Sequence, residues 1–175
     1  MFHQTITLFF LFSTLLFSEG KVSIEEILKE NYAEENLTIQ KKSLILTKKD
    51  ASLIQKEAKT KLGSKIVRYY EVKKDDMLQG HALLLQQRIR TKKAAILYMV
   101  DTNNSIVSLE IVAFHEPSEY KPSDEWTKVF EGKTTKDELK AGDDIATISG
   151  ATMSARAISN AARLALAIVE HKLSK

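Results

Sequence analysis

Between Lys65 and Phe114 the chain strings together four apolar, β-prone runs, and any fold it adopts must give them a sheet. The runs are "KIVRYYEV" (65–72), "HALLLQQRI" (81–89), "AAILYMV" (94–100) and "SIVSLEIVAF" (105–114). The last two flank "DTNN", Asp101 to Asn104, whose Asp and Asn residues favour a hairpin turn. In the last run Val107, Leu109, Ile111 and Ala113 alternate with Ser108 and Glu110, which predicts one buried face. A shorter strand is expected over 43–47, "SLILT". Helical signals surround these runs. Ser23 with Glu26 three positions on marks a capping box for a short helix in 23–32. Asp50 as N-cap and Gly63 as terminator bracket a helix over about 51–62. Two further short helices are expected around 123–131 and 134–140, and a long one from about Thr152 to Leu173. The fold class is therefore α+β, an antiparallel sheet packed against helices, the last of them long.

At 175 residues, 43% hydrophobic and 28% charged, the chain has enough apolar material for one ordinary core. The net charge of +3 is mild, and no basic stripe interleaves with aromatic residues, so nucleic acid is not an expected partner. Residues 1–20, "MFHQTITLFFLFSTLLFSEG", hold an apolar run from Ile6 to Phe17 followed by Ser18 and Gly20, the layout of a secretory signal peptide. The run is shorter than the ~20 residues of a membrane span, although an uncleaved anchor is the competing reading. The chain is expected to be exported, to the periplasm or the outer face of the cytoplasmic membrane. Residues 21–75 then form an N-terminal α/β segment, and 76–175 the domain that carries the function. No cysteine is present, which excludes disulfides, thioether haem attachment and Cys-ligated iron–sulfur clusters. The four histidines, at 3, 81, 115 and 171, show no metal-ligand spacing.

The most unusual stretch is "DDIATISGATMSARAIS" (143–159), which crowds Ser149, Gly150, Ala151, Thr152 and Ser154 at the start of the last helix. A helix start presents free N–H groups and the positive end of a dipole, so it suits a phosphate. Gly150 and Ala151 would let one approach closely. The same residues also make an ordinary N-cap, and physical reasoning alone favours that plainer reading. Beyond the start, Ile158, Ala161, Ala162, Ala165, Ile168 and Val169 form one stripe toward the sheet, while His171 and Lys172 complement the negative end of the helix.

"SGATMS" resembles the flavinylation signature of the FMN-binding domain family, which includes the FMN-carrying subunits of sodium-pumping NADH:quinone oxidoreductases and Rnf complexes, and smaller exported relatives. The resemblance extends over roughly 76–172 and includes "VFEGK" (129–133). It implies that Thr152 accepts FMN through a phosphoester installed by an FAD-dependent flavin transferase, with Ser149, Gly150, Ala151 and Ser154 around it. It implies electron transfer with a membrane redox partner or cytochrome-type carrier, rather than a complete enzyme. Two positions depart from the family pattern. Ala146 stands where the family usually has Asp, three residues before Ser149, and the loop after the last strand reads "HEPSEY" rather than His-x-Glu-Thr-Pro-Gly. The Ala146 departure leaves an alternative, a binding or scaffold module of the same fold without attached flavin.

Other candidates have plainer readings beside them. His115 and Glu116 are placed to line a flavin site, or merely to link strand to helix. Trp126 would stack on an isoalloxazine ring, although a lone Trp on a short helix is more often core. "RIRTKK" (88–93) would suit an acidic redox partner or lipid headgroups, but reads more simply as a solvated hairpin end.

Overall fold

A computed structural model describes residues 22–32 and 36–174, so the leader expected at 1–20 lies outside the described residues. In chain order the elements are α1 (Ile24–Tyr32), β1 (Leu37–Ile45), α2 (Lys48–Glu57), β2 (Ile66–Lys74), β3 (Met77–Arg88), β4 (Lys93–Asp101) and β5 (Ile106–Phe114). A 3-10 turn at Ser118–Tyr120 leads to α3 (Asp124–Thr127), and the chain ends in α4 (Thr152–Ile168), prolonged by a π turn at Val169–Leu173. The five strands make one sheet in sequence order, antiparallel throughout. Residues 21–75 supply two of its strands, so the sheet runs unbroken from the N-terminal segment into the domain that follows.

Each face of the sheet carries its own core. On one face Val67, Tyr69, Leu83, Leu85, Ile96, Tyr98 and Val100 pack with α2 and α4. On the other, Tyr70, Val72, Ala82, Leu97 and Met99 cover Leu28 of α1. The stripe expected on α4 is fully buried: Ile158, Ala161, Ala162, Ala165, Ile168 and Val169 are all 0% exposed. Its alanines keep the helix close to the strands, and the Tyr98 hydroxyl donates to the Ile158 carbonyl at 3.0 Å, pinning helix to sheet. At the far end of α4, His171 and Lys172 do more than offset a dipole. They pair with Glu57 and Asp50 of α2, Lys172 at 3.1 Å.

Several expected boundaries move, each for a local reason. α2 begins earlier because Thr47, not Asp50, is the N-cap; Asp50 closes the capping box from the third helical position. It ends at Glu57, with Ala58 as cap and Lys59 in the left-handed region at φ 50°, so Gly63 falls in the loop beyond. β1 starts at Leu37 rather than Ser43, as an edge strand whose polar positions face water. No helix forms at 134–140. Thr134 donates its N–H to Asp137 (2.9 Å), Leu139 adopts φ 48°, and the Asp144 carboxylate takes the N–H groups of Leu139 and Lys140 at 2.8 and 2.7 Å. Side chains thus displace a helical ladder as acceptors for the backbone donors. In β5 the simple alternation fails because the register shifts twice. Ile106, Leu109, Ile111 and Phe114 face the α4 side, whereas Val107 and Val112 turn to the α1 side.

Candidate functional site

The strap from Gly142 to Ala151 delivers the small-residue stretch to the first turn of α4. Its anchors are Ile145, fully buried, and Trp126, whose indole N–H donates to the Ala146 carbonyl at 2.8 Å. Trp126 also packs edge-on against Phe130, with ring centroids 5.3 Å apart, at the margin of the α4-side core. Trp126 is thus partly buried against the core and, through its indole N–H, also holds the strap. The Ala146 side chain points into solvent while its backbone is held.

Past Ile148 the chain turns sharply. The Ala151 N–H donates to the Ile148 carbonyl at 3.0 Å, and Gly150 sits at the third turn position with φ 75°, where a residue without Cβ is favoured. Gly150 is exposed, and a Cβ built there would meet nothing within 4 Å. Clearance above the turn is therefore real. Ala151 differs: it is 2% exposed, so its small size serves packing beneath the turn rather than approach from above.

The N-cap of α4 is Ala151, with no side-chain cap bond. The first helical bond runs from Ala155 N–H to the Ala151 carbonyl (3.2 Å), and the N–H groups of Thr152, Met153 and Ser154 find no acceptor among the described residues. Ser149 is exposed and Thr152 half-buried, and neither hydroxyl has a hydrogen-bond partner among the described residues. Ser154 is different again. It is fully buried and donates to the Tyr120 carbonyl at 2.6 Å, tying the first turn of α4 to the loop after β5. The plain N-cap reading thus finds no capping hydroxyl.

That loop explains Glu116. Its Oε1 accepts the N–H groups of Arg90, Thr91 and Lys92 at 3.0, 2.6 and 2.7 Å, bracing the turn between β3 and β4. These backbone bonds, Lys92's foremost, hold the Glu116 carboxyl below its ordinary value. The carboxylate is committed to the scaffold. His115 is exposed, and its backbone N–H donates to the Lys93 carbonyl at 3.3 Å. Two residues not singled out in the sequence complete the assembly: the Arg90 guanidinium lies 4.3 Å from the centre of the Tyr120 ring. The basic run at 88–93 and the Tyr of "HEPSEY" were the available signals. Their pairing depends on the tertiary approach of two loops, which spacing does not reveal.

The donor set fits a phosphate. Three free N–H groups, a helix dipole and an unengaged Thr hydroxyl stand at an open turn, with no carboxylate among the described residues bonded to that turn. Among the described residues no group of His, Asp and Glu is arranged to hold a metal ion.

Comparison with known protein families points the same way. Residues 92–167 match the FMN-binding domain family. Over this stretch the chain is similar to an FMN-binding domain. The match runs from the β3–β4 turn through β4, β5 and the strap into α4, and so contains the uncapped helix start. Flavin is the cofactor class of such a domain. No curated protein matches the chain.

Proposed function

We propose that the chain is an exported electron-transfer flavoprotein whose FMN-binding domain holds FMN covalently, by a phosphoester to the Thr152 hydroxyl. The observation that carries this reading is the start of α4, rich in hydroxyls yet capped by none of them. A capping hydroxyl has its lone pairs committed to backbone donors, whereas the Thr152 hydroxyl is available for bond formation. Gly150 leaves room for a transferase and its substrate, and the three free N–H groups stabilise the charge of a phosphodiester held there.

Attachment from FAD balances simply. The Thr152 oxygen bonds to the flavin-side phosphorus, the pyrophosphate P–O bond breaks with its electron pair leaving on AMP, and the hydroxyl proton passes to a base on the transferase. When attached, FMN supplies one- and two-electron chemistry. The chain's own residues fix where it hangs. Trp126 holds the strap through Ala146, and Ser154 holds the first helical turn against the Tyr120 loop. The leader at 1–20 supports export, and the expected partners are a flavin transferase and a membrane redox protein or cytochrome-type carrier.

Denaturing gels scanned for flavin fluorescence test the reading. Co-expression with a flavin transferase should give a fluorescent band for the wild-type chain and none for Thr152→Ala. Fluorescence that is lost on denaturation would instead mark a non-covalent flavin protein.

A further inference from the structure

Pairing between β2 and β3 stops at Arg68–Leu84. β2 continues back to Ile66 against β1, and β3 continues on to Arg88 against β4. The two strands therefore splay, and Leu85–Arg88 face a gap instead of a neighbouring strand. The loop before β2 closes over this gap, since a Cβ on Gly63 would stand 3.8 Å from the Gln86 carbonyl. The result is a cavity of about 520 Å³, within the size range of small-molecule sites.

Its chemistry is one-sided. Lys61, Arg68, Arg88 and Lys93 line it, and among the described residues no Asp or Glu does. None of the four makes an ion pair among the described residues, and Arg88 has only the Thr91 carbonyl, at 3.3 Å. Beneath them Leu85 and Leu164 form an apolar floor. At the mouth Ile66 is 59% exposed, as is its cross-strand neighbour Ile45 at 73%. Four like charges around one cavity repel one another, and an anion relieves that repulsion. The apolar floor and lip gain from being covered.

We propose that this cleft binds a small amphiphilic anion, its carboxylate, sulfonate or phosphate head met by the four cations and its apolar body laid along Leu85, Leu164 and Ile66. The site is separate from the attachment point. No residue of 149–154 lines it, and Leu164 lies twelve residues beyond Thr152, about 18 Å along α4. It is independent of whether FMN is attached.

Fluorescence titration of the full chain tests this, using anilinonaphthalene sulfonate and, as control, phenylnaphthylamine, which has the same rings without the sulfonate. The sulfonate should bind saturably, one per chain, and be displaced by monomeric decanoate but not by phosphatidylglycerol vesicles. Replacing two cations, Arg68→Gln with Lys93→Gln, should weaken it about tenfold and leave the neutral dye unmoved. Gly63→Leu, at a backbone position outside the left-handed region, should fill the gap and remove binding with little change in Tm. Non-saturable binding, equal affinity in the double variant, displacement by vesicles alone, or undiminished binding in Gly63→Leu would each overturn the proposal.

Discussion

Thr152 owes its chemical opportunity to what its neighbours do not do. Ser154 is committed to the Tyr120 carbonyl and Ala151 cannot cap, so the first turn of α4 keeps its donors and one free hydroxyl. Ala146 can be judged at the same scale. Only its carbonyl is used and its side chain is exposed, so Ala146→Asp should fold normally. If the wild-type chain is a transferase substrate, that variant raises flavin incorporation by at most a few-fold; a rise from zero would favour a module without flavin. Glu116 makes a different kind of prediction. Its folded pKa is depressed by backbone donors, so its stabilising effect is complete above the ordinary value of 4.5 and is lost as pH falls through the lowered value. Glu116→Gln should lower Tm by several degrees at neutral pH and flatten the acid limb of the Tm–pH profile. The motif residues were legible in the sequence because "SGATMS" is contiguous. The roles of Glu116 and Tyr120 were not, because each acts on backbone or rings brought close only by folding.

Among the elements, α4 is the best specified by sequence and also the most constrained by contact. Its alanine-rich stripe has a period that matches the helix, and every residue expected on it is buried. The Tyr98 hydroxyl is its polar tether to the sheet core. Tyr98→Phe should cost about 1–2 kcal/mol in chemical denaturation, with the m-value unchanged. α2 offers a pH test. Asp50 receives Thr47 donors and the Lys172 ammonium, which take its carboxyl from 3.8 down to about 2. A depressed carboxyl stabilises the fold above its unfolded value and ceases to do so as pH falls through its folded one. Stability should therefore decline between pH 3.8 and about 2, and Asp50→Asn should blunt that decline in acid unfolding followed by circular dichroism. α2 also shows why the ends of elements are hard to read from sequence. Thr47 and Asp50 both carry capping chemistry, and only the three-dimensional path decides which is the cap. At 134–140 Asp144 settles the matter from outside the segment, by taking two of its N–H groups.

For the whole molecule, the sheet is the organising fact. Four of its strands are evident from β-prone runs, and the α+β class follows from them. The double-faced core is harder to foresee. Bulges in β5 move Val107 and Val112 to the α1 side, and a period-two reading assumes an unbroken register. α2 and α4 share one face of that sheet, and α4 begins on the strap and loop of the matched domain, so scaffold and candidate site are continuous. Covalent attachment at Thr152 is open to intact-mass spectrometry of the chain co-expressed with a flavin transferase. The expected result is a gain of one FMN less one water, retained under denaturation and absent from Thr152→Ala at an unchanged Tm. No gain in the wild-type chain, or the same gain in Thr152→Ala, would contradict it.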